Sequence, residues 1–333
     1  MKILPYPQIP QLICYQNKAF PIGIIQANSP ENITKWLCTK SINTVYNPKS
    51  PQNKFDLAMW DTWGNWEGIT TQQIFSIKKE LISLMNVDLL DMFRIFLDNE
   101  CYIQGTYNEK HIPSKSAYEK ENYNHDFLVI GYDDNNFYSV GFVADSRFKH
   151  FIIPNQKFID AVTDIGGSKV AVNFFSYNRE MIPKPNIDRM LSDLEKYIST
   201  ANYMDRPTSD AISYGISTLM RVKDFFVEEV ITNKKIYVDK RYSRVLYEHE
   251  WILSQVIEMF LDSAERTEFI KCASENLDCA KLVHRLGLKM ELNKKVDSIY
   301  SVANLIDRIV ENEKKYIPQL ISLLRMKHEK NLI

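Results

Sequence analysis

Apolar and polar positions along the chain follow two different rhythms. Between about residues 100 and 175, short β-rich runs alternate with turn residues: "CYIQGTYN", "DFLVIGYD", "NFYSVGFVA", "FKHFIIP" and "KVAVNFFSY". Each is bounded by Asn, Asp, Gly or Pro, so each predicts a strand. The "YDDNNF" junction predicts a tight hairpin, because Asp and Asn tolerate left-handed backbone and hydrogen-bond their own main chain. In the same half, "QQIFSIKKELISLMNV" and "PNQKFIDAVTDIG" predict helices. From "KPNIDRMLSDLEKYIST" onward the pattern is helical nearly to the end. Val296, Ile299, Val302, Ile306 and Ile309 recur at steps of three and four, which is one apolar stripe on an amphipathic helix.

Pro183 and Pro185 sit where the rhythm changes, and 333 residues suggest about two domains. The chain therefore predicts an α+β domain over residues 1–182 and a helical bundle over residues 183–333. Lys and Arg (41) nearly balance Asp and Glu (42), which argues against a nucleic-acid partner. Cys14, Cys38, Cys101, Cys272 and Cys279 form no CxxC pair, and an odd number without framework spacing argues against a disulfide scaffold or structural zinc. Pro5, Pro7 and Pro10 break up the N-terminus against a signal-peptide core. No apolar run approaches the roughly 20 residues that span a bilayer. A cytoplasmic protein with no membrane partner is expected.

Cysteine is a common small buried hydrophobe, and Cys38, Cys101, Cys272 and Cys279 are read as packing residues. Cys14 stands apart, because it follows a proline-punctuated loop and precedes "YQNKAFPIGIIQAN", a helix with Pro21 near its first turn. A cysteine at a helix N-terminus has its thiolate stabilised by the helix dipole and by backbone N–H groups. His125 opens an apolar strand ahead of the hairpin, where it can meet such a helix and exchange a proton with the thiol. Gln8, six residues before Cys14, offers a side-chain amide to an oxyanion, with Gln11 as a nearer competitor.

Gln–x5–Cys before a helix, then His-Asp-apolar-Gly-Tyr-Asp-Asp, resembles the papain-like cysteine peptidases. More closely, the chain resembles the butirosin biosynthesis protein H family of peptidase-like acyltransferases. Tyr-rich "YIQGTYNEKHIPSKSAYEKENYNHDFLVIGYDD" and "LYEHE" at Leu246–Glu250 extend the likeness over about residues 5–325. The resemblance implies a papain-like α+β catalytic domain followed by an all-helical domain. It implies transfer of an acyl group from the phosphopantetheinyl thioester of an acyl or peptidyl carrier protein to the cysteine, and then to an amine acceptor. No other cofactor is expected. In this family pattern an Asn or Asp lies about 16 residues past the histidine. That register falls on Val140, Gly141 and Phe142, so Asp145 is the substitute if the strand carries a bulge.

Trp60, Trp63 and Trp66 recur at three-residue spacing and could floor a substrate groove, although packing is the preferred reading. Lys281, Arg285 and Lys289, with Lys294 and Lys295, form a basic helical cluster that suits an acidic carrier protein as well as plain solvation. Glu248 and His249 resemble half of a helical metal motif, but no second histidine follows at i+4, so no metal is expected. Two alternatives to acyl transfer stand at this stage: a cysteine peptidase or amidase, and a catalytically degenerate binding or scaffold protein.

Overall fold

All five β-rich runs form strands of one sheet in the computed structural model, which describes residues 1–50, 54–58, 71–78, 81, 88–164, 171–180, 182–203, 209–231, 239–293 and 298–333. In chain order the strands are β1 (Lys2–Ile3), β2 (Thr44–Tyr46), β3 (Phe55–Leu57), β4 (Thr71–Lys78), β5 (Tyr102–Asn108), β6 (Asn124–Tyr132), β7 (Asn136–Phe142), β8 (Phe148–Pro154), β9 (Ala171–Tyr177) and β10 (Ser213–Tyr214). The helices are α1 (Gln16–Asn28), α2 (Pro30–Cys38), α3 (Leu89–Asp98), α4 (Asn155–Thr163), α5 (Ile187–Ile198), α6 (Ser217–Ile231), α7 (Lys240–Phe260), α8 (Ser263–Asn293) and α9 (Ile299–Glu329). A 3-10 turn spans Glu109–His111. The chain is thus α+β, with a helical C-terminal region.

Two compact units divide the described chain. One comprises Met1–Ile33 and Asp61–Pro183, the other Thr34–Trp60 and Lys184–Ile333. The boundary expected at residues 182 and 183 falls one residue later, but the N-terminal part is not continuous. Thr34–Trp60 goes with the second unit because β2 pairs with β3 and with the distant β10, in a three-stranded sheet. Thr44 Oγ1 reinforces that pairing by donating to the Gly215 carbonyl at 3.0 Å. The second unit is therefore not all-helical. Among the described residues its helices are α5 to α9 with the end of α2, and on α9 Ile299, Val302, Ile306 and Ile309 are buried as the stripe predicts; Val296 lies outside the described residues. Among the described residues, no helix is long and apolar enough to cross a membrane.

In the first unit the sheet runs β4-β9-β5-β6-β7-β8, with β1 added to β6, and every pairing is antiparallel. The "YDDNNF" hairpin closes as expected: Asp133 Oδ1 accepts from the backbone N–H groups of Asn135 (2.8 Å) and Asn136 (2.7 Å). One expectation fails here. The run from Gln72, read as the start of a helix, is strand β4 (Thr71–Lys78), paired with β9 from Thr71↔Tyr177 to Lys78↔Ala171. Ile74, Phe75 and Ile77 are spaced too closely to separate the two periods, and a free strand edge on β9 settled the choice.

Helix α1 is buried on nearly all sides, with Ala19, Phe20 and Ile24 in the same core cluster as Phe127, Val129 and Val140 of the sheet. Pro21 lies inside it without ending it. Gly23 makes room for Tyr6: a β-carbon there would come within 2.3 Å of the Tyr6 ring. The Tyr6 hydroxyl then donates to the Ala19 carbonyl at 2.9 Å. These contacts hold the N-terminal segment against the middle of α1.

Candidate active site

His125 owes its orientation to strand register. It lies opposite Tyr107 in the β5–β6 ladder, and Glu109 is two residues beyond Tyr107. Side chains two apart in an extended segment share a face, so Glu109 is the diagonal neighbour of His125. The ladder continues far enough to hold it there, since Glu109 N–H donates to the Tyr123 carbonyl at 2.8 Å. Asn108 caps the 3-10 turn by accepting from Lys110 N–H at 3.1 Å. The result is a 3.0 Å contact between His125 Nδ1 and Glu109 Oε1.

Glu109 is itself buried, its side chain 5% exposed, and it is paired with Lys115 at 3.0 Å. Lys115 Nζ also donates to the Phe142 carbonyl at 2.5 Å and stands over the rings of Phe127 and Phe151. Burial alone would raise the Glu109 carboxyl. The hydrogen bond from His125 and the bond and charge of Lys115 outweigh it and hold the group below the ordinary glutamate range. Burial pushes the Lys115 ammonium below its ordinary range, against the pull of Glu109. Glu109 therefore stays an anion at neutral pH and can stabilise an imidazolium on His125.

The other ring nitrogen faces α1. Gln16, the first residue of that helix, places Nε2 3.3 Å from His125 Nε2 and 2.9 Å from the Asp126 carbonyl. Its Oε1 accepts from Phe142 N–H at 2.8 Å. A carbonyl on one side and an N–H on the other allow the carboxamide only one orientation. Its NH2 group must then point at His125, so the imidazole accepts at Nε2 and donates its Nδ1 proton to Glu109. That is the tautomer a general base needs on its Nε2 side.

Cys14 is buried in the bend that leads into α1. Only Tyr15 separates it from Gln16, so their Cα atoms lie within about 7 Å. Cys14 thus lies two positions before the residue whose carboxamide meets His125. Tyr15, the N-cap, has extended backbone and provides no side-chain acceptor. Helical geometry leaves the first N–H groups of α1 without an intrahelical carbonyl, and such groups suit a developing oxyanion.

Gly141 acquires a role different from the one its position suggested. A β-carbon there would stand 2.8 Å from Gln16 Oε1 and 3.3 Å from Phe127 Cβ. The glycine is what admits the carboxamide between β6 and β7. Gly141→Ala is expected to destabilise the protein by about 1–3 kcal/mol, the usual range for overpacking. Urea unfolding of the variant measures it, and an unchanged midpoint would mean that Gln16 is not held there in solution.

One site residue expected from the sequence is overturned, and the others fall in various places. Asp145 does not orient His125: it is exposed, accepts from Arg147 at 2.7 Å and Lys149 at 2.6 Å, and is held well below the carboxylate range by those cations. The β7–β8 turn carries it away, and the carboxylate on His125 Nδ1 is Glu109, 16 residues before the histidine rather than after it. Gln8 is exposed, and the amide that meets His125 belongs to Gln16. Asp126 approaches His125 Nε2 at 3.8 Å with its own carboxylate. Cys38, Cys101 and Cys279 are buried, and burial pushes each thiol up. Trp60, Trp63 and Trp66 lie outside the described residues, as do Lys294 and Lys295. Lys281, Arg285 and Lys289 are on α8, with Lys281 paired to Asp278 at 3.1 Å. Glu109 was legible only as part of the acidic stretch between "YIQGTYN" and the histidine, and Gln16 carried no local signal at all.

No protein-family model matches the chain, and a comparison with curated proteins found no match.

Proposed function

We propose that the chain is a cysteine-dependent acyltransferase of papain-like fold that makes amides from carrier-bound thioesters. The observation that supports it best is the Glu109–His125 pair, which leaves the imidazole Nε2 directed at the helix end that Cys14 leads into. Cys14 Sγ attacks the thioester carbonyl as its proton passes to His125 Nε2, and the oxyanion meets the first N–H groups of α1. Collapse expels the carrier thiolate, which takes the proton back from His125 and leaves an acyl-cysteine. An amine then attacks the acyl carbon and yields its proton to His125, and Cys14 departs as the leaving group. Throughout, Glu109 holds the ring and balances its charge, the part an aspartate or asparagine plays in related triads.

The resemblance to the butirosin biosynthesis protein H family supplies the carrier-protein donor and the amine acceptor. It also suggests the setting of an antibiotic pathway, with the amide-forming enzyme of closthioamide biosynthesis as the nearest parallel. Incubation with an acylated carrier protein followed by intact-mass measurement tests the reading. Wild type is expected to gain one acyl group, and Cys14→Ala none. No adduct on wild type, or the same adduct on Cys14→Ala, would remove the assignment. Product analysis with and without an amine separates transfer from hydrolysis.

One observation favours a second reading, a binding protein that keeps the scaffold without the chemistry. Gln16 already stands at the ring nitrogen that a thiol would use. At 3.3 Å this contact is longer than an ordinary hydrogen bond, and Gln16 keeps its partners Asp126 and Phe142 if it yields the histidine. The rate of Cys14 alkylation by iodoacetamide discriminates: a nucleophile activated by His125 reacts faster than a free thiol, and a bystander does not.

A further inference from the structure

The second unit contains a polar cluster that acyl transfer does not use. His249 and Glu250 on α7 and Glu313 on α9 converge with one ligand atom each, all within 4.8 Å of one another. His249 Nδ1 lies 3.2 Å from Glu250 Oε1 and 3.8 Å from Glu313 Oε1. All three side chains are fully buried. His249 Nε2 is 2.9 Å from the Ile42 carbonyl, which can only accept, so this nitrogen carries the ring proton. The Nδ1 lone pair therefore points at two carboxylates, an arrangement of three acceptors that repels itself unless a cation or added protons lie between them.

Further polar groups turn toward the same place. Glu250 Oε2 and Glu313 Oε1 are buried without a hydrogen-bond partner among the described residues. So is the hydroxyl of Tyr316, one turn beyond Glu313 on the same face of α9 and within electrostatic reach of both carboxylates. Tyr197 of α5 donates to Glu313 Oε2 at 2.8 Å, which turns Oε1 toward His249. Supporting bonds of this kind, a histidine N–H to a backbone carbonyl and a hydroxyl to a carboxylate, commonly surround metal ligands and fix their orientation.

We propose that His249, Glu250 and Glu313 bind one first-row divalent cation, with the Tyr316 hydroxyl or Glu250 Oε2 completing the coordination. A four-coordinate ion with bonds of about 2.1 Å spaces its ligands about 3.4 Å apart, close to the separations seen here. Two carboxylates neutralise a dication, and the neutral imidazole adds no charge, so the filled site is electroneutral inside an apolar bundle. Mixed imidazole and carboxylate donors suit Zn2+, Fe2+ or Mn2+. Burial marks the site as structural: the ion ties α7 to α9, with α5 in support. The missing i+4 histidine in the sequence is replaced by a carboxylate from a different helix.

Because the site is enclosed, the ion is expected to enter as the helices assemble, and growth conditions should determine which metal is found. Full-length protein is produced in minimal medium supplied separately with Zn2+, Mn2+ or Co2+ and analysed for metal by mass spectrometry. About one equivalent per chain is expected in at least one medium, and the cobalt form should show d–d absorption. Glu313→Gln and Glu250→Gln preserve shape and should each lower metal content at least tenfold. Metal below one tenth of an equivalent in all three wild-type preparations would overturn the proposal and leave shared protons in the cluster. Full occupancy in both variants would overturn it as well, by placing the ion elsewhere.

Discussion

His125→Ala is expected to slow acylation of Cys14 by roughly 10²- to 10⁴-fold, the usual contribution of a general base. The thiol retains the helix end and its N–H groups but loses the acceptor for its proton. The measurement is the single-turnover rate of acyl-adduct formation as a function of pH. Wild type should be faster at neutral pH, and His125→Ala should show only the rise of an unassisted thiolate. Restoration of wild-type rate at high pH would fit this account, because hydroxide then does the work of the base. A variant with the wild-type rate at neutral pH would exclude His125 from the chemistry.

Glu109→Ala is expected to act on stability before it acts on rate. Lys115, whose side chain is 1% exposed, loses its carboxylate partner at 3.0 Å. Leaving one member of a buried ion pair unpaired typically costs about 3–5 kcal/mol. Replacing both residues, as Glu109→Ala with Lys115→Met, should recover much of that loss, since the double variant buries no charge. Urea unfolding of wild type, both single variants and the double variant forms the test. A Glu109→Ala loss below about 1 kcal/mol would show that the pair does not hold this corner of the sheet.

The same pair sets a pH dependence. The Glu109 carboxyl is held below its ordinary value in the folded protein, so its contribution is fully present above the unfolded value, about 4.3. It is lost as pH falls through the lower, folded value. Glu109→Gln should accordingly be less stable than wild type by a constant amount above about pH 5, with the gap closing as pH falls through the folded value. A parallel displacement of the two curves at all pH values would assign the effect to packing instead.

By itself the sequence determined whatever depends on neighbours within a few residues. Strand and turn residues specified β5 to β9 and the β6–β7 hairpin, and a single apolar stripe specified α9. His125 was legible because a histidine opening an apolar strand is a local pattern, and Cys14 because it precedes a helix. The tertiary structure decided what depends on register and on surfaces that meet late. Glu109 reaches His125 only because Tyr107 and His125 pair across β5 and β6, and one residue of slip would turn it to the opposite face. Gln16 reaches the ring only where Gly141 leaves room. Thr34–Trp60 belongs with the second unit because β2 pairs with β10, far along the chain. His249 and Glu250 find Glu313 only when α7 and α9 pack. Local patterning carries the identity of the elements, whereas the partners of a buried charge follow from packing, which no single stretch of sequence contains.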